Sequence, residues 1–204
     1  MLNPQQAIQR LKDGNQRFLN GTCNLGDLAS QSRREELVAG QKPFAIILGC
    51  ADARVPAEIV FDHGLGDLFV IRIAGNIVAP SQIGSIEFAA KEFGTRLVVV
   101  LGHSNCGAVA ATLNDIRQEE DTCSKNLLSI VDRIRPAVKP LLSQPCANDP
   151  DELLLQAVRA NIHASVQQLR TGSPILETLQ EEGLRIIGAK YSLKRGVVDF
   201  FEDA

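Results

Sequence analysis

The sequence predicts an α/β fold: a mostly parallel central sheet flanked by helices. Three observations carry that reading. Four short runs, FAIIL at 44–48, LFVIR at 68–72, LVVVL at 97–101 and LRIIGA at 184–189, are rich in Ile and Val and apolar without alternation, which fits strands buried on both faces. Helical stretches lie between or after them, and strands alternating with helices give parallel pairing through crossovers. Two of the runs also end alike, on a glycine followed by a thiol or an imidazole, Gly49-Cys50 and Gly102-His103.

Taken in order, residues 4–19 read as a helix. Asn3 can cap it, Pro4 suits its first turn, and Ile8, Leu11, Phe18 and Leu19 give it a partial apolar face. The core described by the strands does not use that face, so this N-terminal helical arm is expected to pack on a partner subunit. Residues 20–43 form a polar connection with a short helix in SRREELVAG. Past the first strand, helices are expected at SIEFAAKEF (85–93), CGAVAATLNDI (106–116) and KNLLSIVDRIRPAV (125–138). The longest spans about 150–171: Asp149 caps it, Pro150 opens it, Glu152 stands three after the cap and Gly172 closes it. Ser173, Pro174 and Gly183 bracket one more short helix. The 204 residues make a single domain, with 1–43 as arm and 44–204 as α/β core.

Composition narrows the function. A net charge of −3 with no Lys/Arg block speaks against a nucleic-acid partner and an anionic membrane surface. Aromatics at 4% with no Trp leave little to stack on bases. The first residues lack the basic head and apolar stretch of a secretion signal, and no run reaches the ~18 apolar residues that span a bilayer. Five cysteines, an odd number without such a signal, argue against a disulfide framework and for a reducing cytoplasm where thiols are free for metal.

The chemistry lies at the two matching strand ends. In open parallel sheets, sites form outside the carboxyl ends of strands near a switch in strand order. If the first and third runs are neighbours, Cys50, His103 and Cys106 converge, and two thiolates with one imidazole make a three-ligand tetrahedral zinc site with one open position. Cys106 stands at the mouth of a helix, where the dipole favours thiolate. Asp52 and Arg54 share a face and can pair, which keeps the carboxylate ionised and aimed. Asp52 is also a candidate fourth ligand. Cys23, Cys123 and Cys146, each alone in a polar segment, read as ordinary small residues, and His163 as a surface residue.

GCADARVP and LGHSNCGAV together, with LKDGNQRF, FDHGLGDLFVIRIAGN (61–76), GSIEFA (84–89) and GAKYSLKRGVV (188–198), resemble the β-class carbonic anhydrases. The resemblance implies a zinc lyase that interconverts carbon dioxide and bicarbonate through zinc-bound hydroxide. It implies one Zn2+ per chain on Cys50, His103 and Cys106, with Asp52 able to bind the metal in a closed form, and a catalytic dyad of Asp52 and Arg54. A homodimer or dimer of dimers in the cytoplasm follows from it too. Two positions depart from the family pattern. Ala53 replaces a common Ser, and His63 stands where the family has a Gln that contacts substrate from the dimer interface. His63 can donate a hydrogen bond there, carry a proton, or simply cap a Gly-rich turn. Two alternatives remain beside carbon dioxide hydration: a same-fold hydrolase of carbon disulfide or carbonyl sulfide, and a catalytically silent zinc-binding subunit.

Overall fold

Strand formation follows the apolar runs closely. In the computed structural model, which describes residues 2–24, 26, 29–117 and 124–201, the strands are β1 Ala45–Gly49, β2 Leu68–Arg72, β3 Leu97–His103, β4 Arg185–Tyr191 and β5 Val198–Phe201. Their order is β2-β1-β3-β4-β5. The first four run parallel, and β5 returns antiparallel along β4. Sequence analysis gives the four parallel strands and misses β5, whose VDFF is short and follows a turn. The chain moves from β1 outward to β2, then crosses back to place β3 on the other side of β1. That reversal puts the switch point between the carboxyl ends of β1 and β3, where Gly49 sits in register with Leu101.

The described helices are α1 Pro4–Leu19, α2 Gln31–Leu37, α3 Ala57–Val60, α4 Pro80–Glu92, α5 Gly107–Arg117, α6 Lys125–Val138, α7 Pro150–Thr171 and α8 Pro174–Glu181. The helix expected at 85–93 begins earlier, because Pro80 in its first turn starts it directly after the extended Ala79. Asn3 and Gln6 form a reciprocal capping box at α1, and Asp149 accepts from the amides of Asp151 and Glu152 at α7. Among the described residues no helix is long and apolar enough to cross a membrane.

Strand pleating sorts the core into two layers. On one face Ile46, Leu48, Val98, Val100 and Ile186 pack against α4 through α8. On the other, Ala45, Ile47, Val99, Leu101 and Ile187 meet Ala7, Ile8 and Leu11 of α1 and Ala57 and Val60 of α3. Among the described residues, five helices pack on one face and α1 and α3 on the other, which gives α1 a task inside its own chain. Ile8 and Leu11 of its apolar stripe are fully buried on the sheet of its own chain, while Leu19 stays exposed; the two buried side chains contribute about 1.5–3 kcal/mol each. Gly14 makes the close approach possible, because a Cβ there would stand 1.8 Å from the Phe61 carbonyl oxygen. Ionic ties fasten the same helix to the turn before β2. Arg10 meets Asp67 at 3.4 Å and Arg17 meets Asp62 at 2.5 Å.

Candidate metal centre

β1 ends in Gly49 and hands over to Cys50, whose side chain continues the parity of Ile46 and Leu48 into the core. Arg72, the last residue of β2, donates through Nε to the Cys50 carbonyl at 3.1 Å and through Nη2 to the Asp52 carbonyl at 2.6 Å. The turn carrying Cys50 and Asp52 is thereby pinned to the neighbouring strand.

β3 ends in His103, and the chain reverses through Asn105, at φ +55°, into Cys106 and α5. Ser104 is held on both sides of this turn: its amide donates to the Tyr191 carbonyl at 2.9 Å and its hydroxyl accepts from the Leu193 amide at 3.0 Å. Its own carbonyl lies 3.0 Å from His103 Nδ1. That contact places the ring proton on Nδ1 and leaves Nε2 with a bare lone pair.

The three side chains converge. One ligand atom each from Cys50, His103 and Cys106 lies within 4.8 Å of the others, and all three residues are buried. His103 Nε2 is fully buried and makes no hydrogen bond, an arrangement costly for a polar atom unless something else occupies its lone pair. The Cys106 thiol holds the Cys50 thiol down at about 4 against burial, with His103 and the amides of Asp52 and Gly75 adding. Cys106 is pushed up by that Cys50 partner first and by burial next, with the Val109 and Ala108 amides at the start of α5 opposing. One sulfur is thus favoured as thiolate beside a protonated neighbour, and a dication bound there would release the remaining proton. Two thiolates and one imidazole suit a tetrahedral Zn2+ with one position open.

Asp52 stands at the rim. Arg54 grips it in a two-pronged pair, Nε to Oδ1 at 2.9 Å and Nη2 to Oδ2 at 2.7 Å, while the Arg54 amide adds a bond to Oδ1 at 2.9 Å. Arg54 and its amide hold the Asp52 carboxyl well below the usual carboxylate range, against burial. Asp52 Oδ2 lies 3.8 Å from His103 Nε2, so the carboxylate faces the same space as the ring nitrogen. Arg54 also reaches the Asn105 carbonyl at 3.3 Å, bridging the two ligand-bearing turns.

Five of the six residues singled out in the sequence therefore meet, and His63 does not join them. It lies in the turn before β2, at the amino end of the sheet, about five strand residues (roughly 16 Å) from the Cys50 end of its own chain. There it is buried, edge-on to Phe44 at 4.8 Å, with Nε2 3.3 Å from the Arg10 carbonyl and Nδ1 3.7 Å from Asp67. A cleft of about 510 Å³ lined by Arg10, Asp13, Arg17, Asp62 and Asp67 adjoins it. His163 is half-buried rather than a surface residue: its ring stacks on Phe201 at 5.4 Å and 10°. Cys146 and Cys23 are half-buried and distant from the three-ligand group, and Cys123 lies outside the described residues. The sequence reading missed Ser104, which holds the His103 turn, and Asn161 and Ser165, which donate to the Gly75 and Asn76 carbonyls in the turn behind Cys50. Asn161 and Ser165, poor helix formers buried within a long helix, were the available signal.

A family model described as carbonic anhydrase matches residues 45–198. The β-carbonic anhydrase CafA of Aspergillus fumigatus superposes with a TM-score of 0.74 at 28% identity, covering 86% of this chain and 84% of that one. The chain belongs to the β-carbonic anhydrases. Carbonic anhydrase 2 of Mycobacterium tuberculosis is 40% identical over 195 residues, 95% of this chain and 91% of that protein. A β-carbonic anhydrase of Sordaria macrospora, described as tetrameric, shares the fold at a TM-score of 0.72 and 24% identity over 82% of this chain and 85% of that one. As a β-carbonic anhydrase the chain is a lyase, a carbonate dehydratase.

Proposed function

We propose that the chain hydrates carbon dioxide reversibly to bicarbonate and a proton, using one Zn2+ held by Cys50, His103 and Cys106. The observation that carries this reading is His103 Nε2, buried without a hydrogen-bond partner and brought together with the sulfurs of Cys50 and Cys106. Bound zinc supplies a Lewis acid that brings the pKa of water toward neutrality, as it does in the three-histidine carbonic anhydrases. Here two thiolates formally cancel the dication, so the protein must add to that effect. What Asp52 adds is positioning: ionised, and fixed by Arg54, it would accept a hydrogen bond from the attacking water, leaving the water oxygen's free lone pair directed at the carbon of the substrate. Ser104, through its carbonyl, keeps the His103 ring in the orientation that leaves Nε2 free. Asp52 freed from Arg54 would reach the metal itself and close the site.

The working unit is proposed to be a homodimer or a dimer of dimers in the cytoplasm; a relative of the same fold is described as tetrameric. His63, remote from its own centre, would reach substrate only across such an interface. Elemental analysis and stopped-flow hydration test the core reading together. Wild type should carry one zinc per chain and hydrate carbon dioxide, and Cys106→Ser should lose most of both while Cys146→Ser keeps both. Full zinc in Cys106→Ser would overturn the ligand assignment. Turnover of carbonyl sulfide or carbon disulfide in place of carbon dioxide would redirect the substrate.

A further inference from the structure

The short turn Ala74–Asn76 after β2 runs directly behind the Cys50 sulfur. Gly75 and Asn76 take successive left-handed conformations, at φ +69° and +45°. A side chain at Gly75 would put a Cβ 2.7 Å from Ile134, so the backbone is pressed close to its surroundings. The Gly75 amide points at Cys50 Sγ, 3.4 Å away, and the Asp52 amide approaches the same sulfur at 3.4 Å.

The opposite side of this turn is gripped from α7. Asn161 donates through Nδ2 to the Gly75 carbonyl at 2.8 Å, Ser165 donates to the Asn76 carbonyl at 3.2 Å, and Gln168 donates to the Val78 carbonyl at 3.4 Å. These positions fall on one helical face. Asn161 and Ser165 are almost fully buried, inside a helix whose other buried positions are Leu, Val, Ile and Ala. A buried amide in mid-helix lowers helix propensity and must find partners.

We propose that Asn161 is a positioning residue for the metal centre: by fixing the Gly75 backbone it aims the Gly75 N–H at the Cys50 sulfur and limits the charge that this thiolate passes to the metal. The inference rests on the zinc reading above. A thiolate that accepts an N–H bond is a weaker electron donor, which leaves a dithiolate-bound dication more acidic toward its fourth ligand. Gly75 belongs to the segment after β2 and Asn161 to the long helix, so neither falls in a motif with the ligands. Gln168 belongs to the same row but acts on Val78, away from the sulfur, and serves as the control.

The test uses the full chain loaded with Co2+ for absorption and with Zn2+ for release to a chelator. Wild type should show a thiolate-to-cobalt charge-transfer band. In Asn161→Leu, close in volume but unable to donate, that band should move to longer wavelength, and zinc release should quicken roughly tenfold or more because the more basic, less firmly placed thiolate is more readily protonated off the metal. Asn161→Ser, polar but too short to reach the carbonyl, should do the same and keeps the test open if the leucine variant fails to fold. Gln168→Ala should leave both readings at wild-type values. Unchanged band and release rate in a folded Asn161 variant would overturn the proposal, as would equal changes in Gln168→Ala. A wild-type chain with no thiolate-to-cobalt band would instead overturn the metal assignment itself.

Discussion

Asp52 shows how a single carboxylate is made dependable. Three donor contacts from Arg54 keep it charged. Because its folded pKa lies below the unfolded value, the stability it contributes is present above pH ~4 and is lost only as pH falls toward the lower folded value. The group is therefore fully ionised wherever hydration runs near neutrality, and its own titration should not appear in the activity profile. Asp52→Asn keeps the shape and removes the acceptor charge, so zinc content should stay near one per chain while hydration falls about 100-fold or more. Stopped-flow rates at neutral pH within a few fold of wild type would remove Asp52 from the mechanism. The site residues were legible in the sequence for a definite reason: Cys50, Asp52 and Arg54, and then His103 and Cys106, are close along the chain, so strand geometry alone puts each set on one turn. Asn161 and Ser104 were not legible as site residues. They act through backbone carbonyls and amides that carry no sequence signature, and only the folded chain shows which carbonyl lies opposite. His63 had a legible family position, yet its own chain places it at the far end of the sheet.

At the level of elements, α1 has a task inside its own chain in addition to the partner contact that the sequence suggests for it. Its apolar spacing was visible, but not that, among the described residues, one sheet face would be covered by α1 and the single turn of α3. The close contact at Gly14 gives a direct check. Gly14→Ala raises helix propensity, yet its Cβ collides with the Phe61 carbonyl, so the variant should lose about 1–3 kcal/mol in urea denaturation. An unchanged or raised midpoint would show that α1 does not need this approach. Asp67 supplies a pH-dependent fastening for the same helix. It accepts from the Gly64 amide and meets Arg10 and Arg33. Burial works to raise its pKa, but His63, the Gly64 amide and Arg10 outweigh it and hold it low. With the folded value depressed, the contribution is complete above pH ~4 and fades below it. Asp67→Asn should thus cost about 1 kcal/mol at pH 7 and much less at pH 3, the partly exposed Arg10 keeping the figure small. Thermal melts at the two pH values read the difference, and an equal loss at both would assign the effect to packing instead. The strands and long helices matched expectation because caps and apolar runs are local signals. β5 and α3, of four residues each, carry too few positions to establish a period.

For the whole molecule, the decisive arrangement is the β2-β1-β3-β4-β5 order. Parallel pairing and alternation predicted the class of sheet, and the switch between β1 and β3 placed the site. The antiparallel closing strand and the uneven cover of the two faces depend on long-range packing and had no counterpart in local pattern. The clasp on Ser104 has a further effect, on the order of synthesis. All three proposed ligands have been made once residue 106 has been added, yet the hold on the His103 turn comes from Tyr191 and Leu193, more than eighty residues later. A nascent or truncated chain therefore owns every ligand but lacks the brace that fixes the imidazole. A fragment ending before residue 185 should bind zinc weakly and release it fast to a chelator, whereas tight retention would show that β4 is dispensable for the centre. On the proposed zinc reading, firm metal loading then acts as a certificate of completion, issued only after the ribosome has delivered β4 and the residues just past it.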